Sequence, residues 1–222
     1  MQCRPLFTIV LLTMASGPAL ADGSLYFDRA QFSADPNTGP TLIENFDSVP
    51  ALTDLTNQTL SGMTLTGANA NMPLIVIDGA TGVRYPMSPS TQKHLLSPGG
   101  SNGDLEDDDL TITFAVPVQA FGLDVVFDAP DGLSYVSVTF RDVTGAVLAS
   151  DGFIPAPNGA PGFMFVGYSS LAANIASVTF DEFDDTAMDD NVAYDTLTVS
   201  VPAAGGLALV GVGSLALGRR RR

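Results

Sequence analysis

Tryptophan is absent from this 222-residue chain, cysteine and histidine occur once each, and only three of the 24 acidic residues are Glu. Each scarcity removes a class of chemistry. The single thiol, Cys3, lies in an N-terminal leader, so the exported chain has no disulfide, no thiol nucleophile and no cysteine-based metal site. With His94 alone, zinc sites built on two histidines are excluded. No Gly-x-Ser-x-Gly elbow presents a nucleophile, and a Ser90/His94/Asp set is what chance supplies in a chain this rich in Ser and Asp. We therefore expect His94 to be a surface residue and the protein not to be an enzyme. Without Trp, a sugar ring could stack only on Tyr85, Tyr135 or Tyr168. Bases are few as well. Arg4 and Arg219 to Arg222 occupy the ends, leaving Arg29, Arg84, Lys93 and Arg141 against all 24 acids, a net of -20 for the body. A body so anionic repels phosphate backbones, which excludes nucleic acid as a partner.

The ends are addresses. Residues 1–21 carry Arg4, an apolar run from Leu6 to Met14 and the small-x-small ending Ala19, Leu20, Ala21, the pattern of a secretory signal cleaved before Asp22. Residues 199–222 hold an uncharged stretch from Val199 to Gly218 followed by four arginines. Roughly twenty residues at about 1.5 Å each span a hydrocarbon core of ~30 Å, so this tail can cross a membrane with its arginines on the cytoplasmic side. A permanent single-span anchor is the alternative to a temporary one.

Val201 and Pro202, the Gly/Leu/Val-rich run Leu207 to Leu217 and the cluster Arg219, Arg220, Arg221, Arg222 resemble the PEP-CTERM class of bacterial sorting signals. Here Pro202, Ala203, Ala204 stand where that class has Pro-Glu-Pro. The resemblance implies a membrane-held intermediate, an exosortase-type processing protease as partner, and release to the cell surface or extracellular matrix.

Residues 22–198 form one domain. Leu110, Ile112, Phe114 and Val116 alternate with Thr111, Thr113 and Ala115, and Val136, Val138 and Phe140 alternate with Tyr135, Ser137 and Thr139. Strand-like runs recur at Leu42–Phe46, Met63–Thr66, Leu74–Ile77, Phe121–Phe127, Phe163–Tyr168, Ala176–Phe180 and Tyr194–Val199, separated by clusters of Gly, Pro, Asn and Asp. The pattern predicts an all-β fold, a single β-sandwich of the jelly-roll kind, with one short helix near Asp28 to Ser33.

Several stations also resemble a broad group of exported bacterial domains that precede such tails: Tyr26 to Ala30 with Phe32, Ile43 to Asp47, Gly62 to Leu65, Leu110 to Phe114 with Pro117 to Asp124, and Tyr194 to Thr198. That resemblance implies a jelly roll like those of carbohydrate-binding modules. It also implies a structural calcium joining Glu44 or Asp47, near the first strand, to Asp195 on the last; the alternative is that each acid faces water.

Two acid clusters stand out: Asp104 and Glu106 to Asp109, and Asp181 to Asp190 with Asn191. Asp is a turn residue and also the hard-oxygen ligand that Ca2+ prefers, so Asp107, Asp109, Asp185 and Asp189 are candidate metal ligands. A solvated anionic surface is the competing reading. The expected function is that of an exported, non-catalytic structural or adhesive protein linked to exopolysaccharide. A calcium-dependent, lectin-like carbohydrate-binding module is the alternative, and a cryptic hydrolase a more remote one. Intact-mass analysis of the protein from its own host should show a chain beginning at Asp22 and lacking Arg219 to Arg222; an intact arginine cluster would overturn cleavage of the tail.

Overall fold

A computed structural model describes residues 23–39, 41–67, 73–78, 94–98, 109–127, 135–153, 162–182 and 192–200. They form two antiparallel sheets, packed as a sandwich, and one short helix. The first sheet contains β1 (Gly23–Tyr26), β2 (Thr41–Glu44), β5 (Ile75–Asp78), β6 (His94–Ser97), β8 (Ala120–Phe127), β11 (Gly162–Ser170) and β13 (Val192–Ser200), in the order β1-β11-β8-β13-β6-β5, with β2 also on β13. The second runs β10-β9-β12-β7-β4-β3, from β3 (Thr59–Leu60), β4 (Met63–Gly67), β7 (Leu110–Val118), β9 (Val136–Arg141), β10 (Val147–Phe153) and β12 (Ile175–Glu182). β13 continues through Val199 and Ser200, so the sandwich reaches past residue 198.

The core lies between the sheets. Leu110, Ile112, Phe114, Val136, Val138, Phe140, Val178 and Phe180 from one sheet meet Phe121, Leu123, Val125, Val166, Tyr168, Tyr194, Leu197 and Val199 from the other. Period-two alternation puts these residues inward because water is excluded from one face of each strand. Val116 departs from the expected inward row and is exposed. Pro117 has no N–H to give the ladder, the β7–β12 register shifts between Ile175 and Ser177, and Val116 turns to solvent while Val118 takes the buried position.

The two ends of the sandwich differ. At one end the connections between sheets are short: Gln119 alone joins β7 to β8, and four residues, Leu171 to Asn174, join β11 to β12. Gly23, paired with Ser170, and Ser200, paired with Thr41, also lie at this end. At the other end Phe127 faces Gly162 and Val192, Val136 faces Glu182 and Phe153, and Leu110 faces Phe180 and Gly67. The long connections β8–β9, β10–β11 and β12–β13, and the segment entering β7, all depart from that second end.

Candidate functional site

The outer face of the first sheet, turned away from the core, carries a row of unusual residues. Phe165, Asp124 and Asp195 stand side by side on β11, β8 and β13. Gly167, Gly122 and Thr198 form the next row. Two aligned carboxylates on adjacent strands repel each other and are costly to desolvate, yet Asp195 is fully buried and Asp124 only 2% exposed. The helix α1 (Arg29–Ala34) supplies the compensation.

Asp28 caps α1, its side chain accepting from the Gln31 N–H at 2.8 Å, which fixes the first helical residue, Arg29, over the acidic row. Arg29 Nη2 lies 2.8 Å from Asp124 Oδ1 and donates to the Thr196 carbonyl at 3.1 Å, while Nη1 donates to Thr198 Oγ1 at 2.8 Å. The guanidinium carbon sits 4.5 Å above the Phe165 ring centroid, adding a cation–π contact. The helix approaches this closely because Gly122 and Gly167 have no side chains: a methyl on either would strike the Phe165 ring, and one on Gly167 would also meet Phe32.

The strand beneath is bent to serve the same contact. Asp195 pairs with Asp124 but Thr198 with Gly122, so β13 holds one residue more than β8. Thr196 in this bulge has φ +47, a left-handed conformation that is strained for a β-branched residue. Its N–H donates to Asp195 Oδ1 at 2.6 Å and its carbonyl accepts from Arg29. The bulge turns Tyr194 and Leu197 both to the core while Asp195 and Thr198 face α1.

At the far end of α1 a second acid holds the helix to the sheet. Asp35 Oδ2 accepts from Tyr26 Oη at 2.6 Å and from the Ser169 hydroxyl, and Oδ1 accepts from Asn37 N and Nδ2 at 2.8 and 2.9 Å. Partial burial works to raise its pKa. The donated bonds, Ser169 first and then Tyr26 and Asn37, more than offset this and hold the carboxyl below the usual carboxylate range.

The residues expected around calcium meet where β13 changes neighbours. Leu197 to Ser200 pair with β2, and Tyr194 pairs with Leu96 of β6. Between these partners β2 leaves the sheet at Asn45 and Phe46, whose φ is +58, and β6 enters at His94. Glu44 and Asp47 stand at this junction and Asp195 borders it, and one oxygen of each serves the main chain: Glu44 Oε1 accepts from Phe46 N at 3.0 Å, Asp47 Oδ1 from His94 N at 3.1 Å, and Asp195 Oδ1 from Thr196 N, while Asp47 Oδ2 accepts from Asn45 Nδ2 at 3.1 Å. Among the described residues no group of three or more His, Cys, Asp or Glu side chains is placed to hold a metal ion. The water-facing alternative does not apply to Asp195, which is buried. His94, expected at the surface, is only 7% exposed, its Nδ1 3.4 Å from the Phe46 carbonyl. All four residues of β6 are buried, so no alternation announced it as a strand.

Of the two acid clusters, the stems are described. The Glu182 N–H at the end of β12 donates to Asp109 Oδ1 at 2.9 Å, immediately before β7. This bond between residues 73 apart in sequence brings the described stems of both clusters together, at the end of the sandwich from which the long connections depart. Of the candidate stacking residues, Tyr168 is buried in the core and unavailable, whereas Tyr135, at the end where Asp109 and Glu182 meet, is 47% exposed. Asp107, Asp185, Asp189, Tyr85, Ser90, the cleavage residues Ala19 and Ala21, and the sorting residues Val201, Pro202 and Arg219 to Arg222 lie outside the described residues. Among those described, no helix is long and apolar enough to cross a membrane. Sequence reasoning missed Arg29, Asp124 and Asp35. An arginine beginning a capped helix and an Asp inside the apolar run Phe121–Phe127 were the available signals.

No protein-family profile matches the chain, and no curated protein does. Among solved structures, the chain is similar to the K2 cleaved adhesin domain of Lys-gingipain, with 11% identity over 73% of this chain and 98% of that one and a TM-score of 0.46. The K1 adhesin domain of Lys-gingipain from Porphyromonas gingivalis W83 gives 14% identity, 74% and 100% coverage and a TM-score of 0.45. An arabinose-bound MgGH51 α-L-arabinofuranosidase gives 13% identity and a TM-score of 0.41, the match covering 72% of this chain and 26% of the enzyme.

Two outcomes test the helix attachment. Arg29→Ala, which strands Asp124 as a buried charge, should lower unfolding free energy by about 3 kcal/mol, the low end for a broken buried pair because the guanidinium is one-third exposed. Asp124→Asn should cost less, and a value for Arg29→Ala within about 0.5 kcal/mol of wild type in urea melts would refute the attachment. The second concerns pH. A carboxyl whose folded pKa is depressed contributes stability that is complete above its unfolded value of about 3.9 and lost as pH falls through the folded value. Asp35→Asn should therefore flatten the fall in melting temperature below about pH 4; an unchanged acid limb would show that Asp35 does not carry it.

Proposed function

We propose that this chain is an exported protein of the cell surface or extracellular matrix, with a non-catalytic structural or adhesive role linked to exopolysaccharide and sorting through its C-terminal tail. The signal-like leader and the resemblance of the tail to PEP-CTERM signals motivate this reading. The observation that carries it is the polarity of the sandwich. Gly23 and Ser200, which adjoin the leader and the tail, lie at one end, whereas Asp109 and Glu182, the stems of both acid clusters, meet at the other. A sandwich held by its tail would present the acid-rich connections outward. The buried ionic groups described above fasten α1 to the sheet, a structural use. In the family sense this body is a jelly-roll module.

A second reading, calcium-dependent carbohydrate binding, is favoured by the same meeting of the stems Asp109 and Glu182, since carboxylates gathered at one end would repel one another unless solvent or a divalent cation intervenes. Both readings meet one experiment on host cells. The protein should fractionate with extracellular polysaccharide and remain there after chelation if its role is structural. Release by chelator, with return on adding Ca2+ and not Mg2+, would favour the lectin-like reading. Recovery in the cytoplasmic fraction would overturn both.

A further inference from the structure

The outer face of the second sheet is a lattice of hydroxyl groups. Thr59, Thr64, Thr113 and Ser177 stand in register across β3, β4, β7 and β12, and the row ends on Arg141 of β9. Two residues along each strand, Thr66, Thr111, Thr179, Thr139 and Ser150 make a second row across β4, β7, β12, β9 and β10. Their chain neighbours Leu65, Ile112, Val178, Val138 and Phe140 are in the core, so these side chains point outward; Thr59, Thr113 and Ser150 are exposed and the rest half-buried. The strands lie about 4.7 to 4.9 Å apart within a row, with roughly 6.7 Å between rows. Cross-strand contacts of 3.2, 3.2 and 3.0 Å, for Thr59 with Thr64, Thr111 with Thr179 and Thr139 with Ser150, hold neighbouring hydroxyls together.

The face has one aromatic border. Tyr135, the residue just before β9, follows the same alternation as Ser137 and Thr139, and the phenol end of its ring lies over Gly152 of the edge strand β10, where any side chain would collide with it. The glycine lets the ring cover the strand backbone while 47% of the residue stays exposed. That is the geometry of a stacking platform beside a field of hydroxyls.

From this arrangement we infer that the outer face of the second sheet binds a neutral polysaccharide chain, laid along the hydroxyl rows with a sugar ring on Tyr135. The inference rests on the exopolysaccharide reading above and names its contact surface. Charge selects the ligand class. Apart from Arg141 the two rows are uncharged, the next row toward Tyr135 adds the exposed carboxylate Asp181 beside Ser137, and a body at -20 disfavours uronic or sulfated glycans. Shape selects it too. Adjacent strands rotate by about 20 to 25°, a twist that a flexible glycan follows and a planar crystal such as ice cannot.

The test uses the full chain in mild detergent, with retention on cellulose, dextran and alginate measured with and without chelator. Wild type should be retained by at least one neutral glucan and not by alginate, regardless of chelator. Tyr135→Ala and the triple variant Thr111→Val/Thr139→Val/Thr179→Val should each weaken retention about tenfold, the scale of one lost stacking or hydrogen-bonded contact set. The Thr→Ser triple variant, which restores the hydroxyls, should recover it, and unchanged melting temperatures exclude misfolding. Wild-type retention by the Val variant, or loss of binding on chelation, would overturn the inference. So would wild-type shaping of ice crystals, lost in the Val variant, without glycan binding. If the host's own polysaccharide is still bound by both variants, this face is wrong and the exopolysaccharide reading survives. If wild type binds neither that polysaccharide nor the glucans, both fail.

Discussion

A pair of aligned, buried carboxylates, Asp124 and Asp195, sets the terms for one whole side of this molecule. Carboxylates so placed repel each other and lose their water, and the compensating donors come from two directions: Arg29 from the helix above and the Thr196 N–H from the strand itself. Placing Arg29 requires the Asp28 cap, the glycine floor of Gly122 and Gly167, and the aromatic stack of Phe32 on Phe165, with centroids 5.2 Å apart. Asp35 and its three partner residues then hold the end of the helix. A six-residue helix has little stability of its own, so its position is dictated by this polar attachment and not by helix propensity.

The bulge in β13 shows how much the core concedes to that attachment. An unbroken alternation through Tyr194 to Val199 would place Tyr194 and Leu197 on opposite faces. One extra residue lets both reach the core and leaves Asp195 and Thr198 under Arg29. The cost is a β-branched residue with φ +47, about 1 to 2 kcal/mol for a left-handed non-glycine residue. Two hydrogen bonds to the Thr196 peptide groups offset it.

These facts explain what the sequence could and could not disclose. Strands with one dry and one wet face, such as Leu110–Phe114 and Val136–Arg141, announce themselves by alternation, and Asp28 announced the helix start. β6 has both faces covered and reads only as a short apolar run after a histidine, so it passed unnoticed and His94 was misplaced at the surface. β10, an edge strand with a register shift after Val147 and with Asp151 and Gly152 near its end, breaks the pattern that would have marked it. Acid clusters are legible as composition, but the meeting of their stems, Asp109 and Glu182, depends on register between residues 73 apart. The hydroxyl rows are hidden for the same reason: each strand contributes only one or two Ser or Thr residues to them, and only lateral pairing turns them into a lattice.

The two ends of the sandwich are electrostatically separate. A nine-residue strand such as β13 is roughly 30 Å long, three to four times the ~8 Å Debye length at physiological ionic strength. In the anchored arrangement proposed above, Asp109, Asp181 and Glu182 at the far end would lie beyond the reach of anionic headgroups, and their field would not push the domain off the membrane. The same screening leaves the described acids at this end, Asp109, Asp181 and Glu182, acting over one Debye length, enough to cover the part of the hydroxyl face nearest Leu110 but not its far row. An anionic glycan would then be repelled most strongly beside Tyr135, where the stacking contact lies. Exclusion of an anionic ligand thus follows from where these acids sit as well as from how many the body holds.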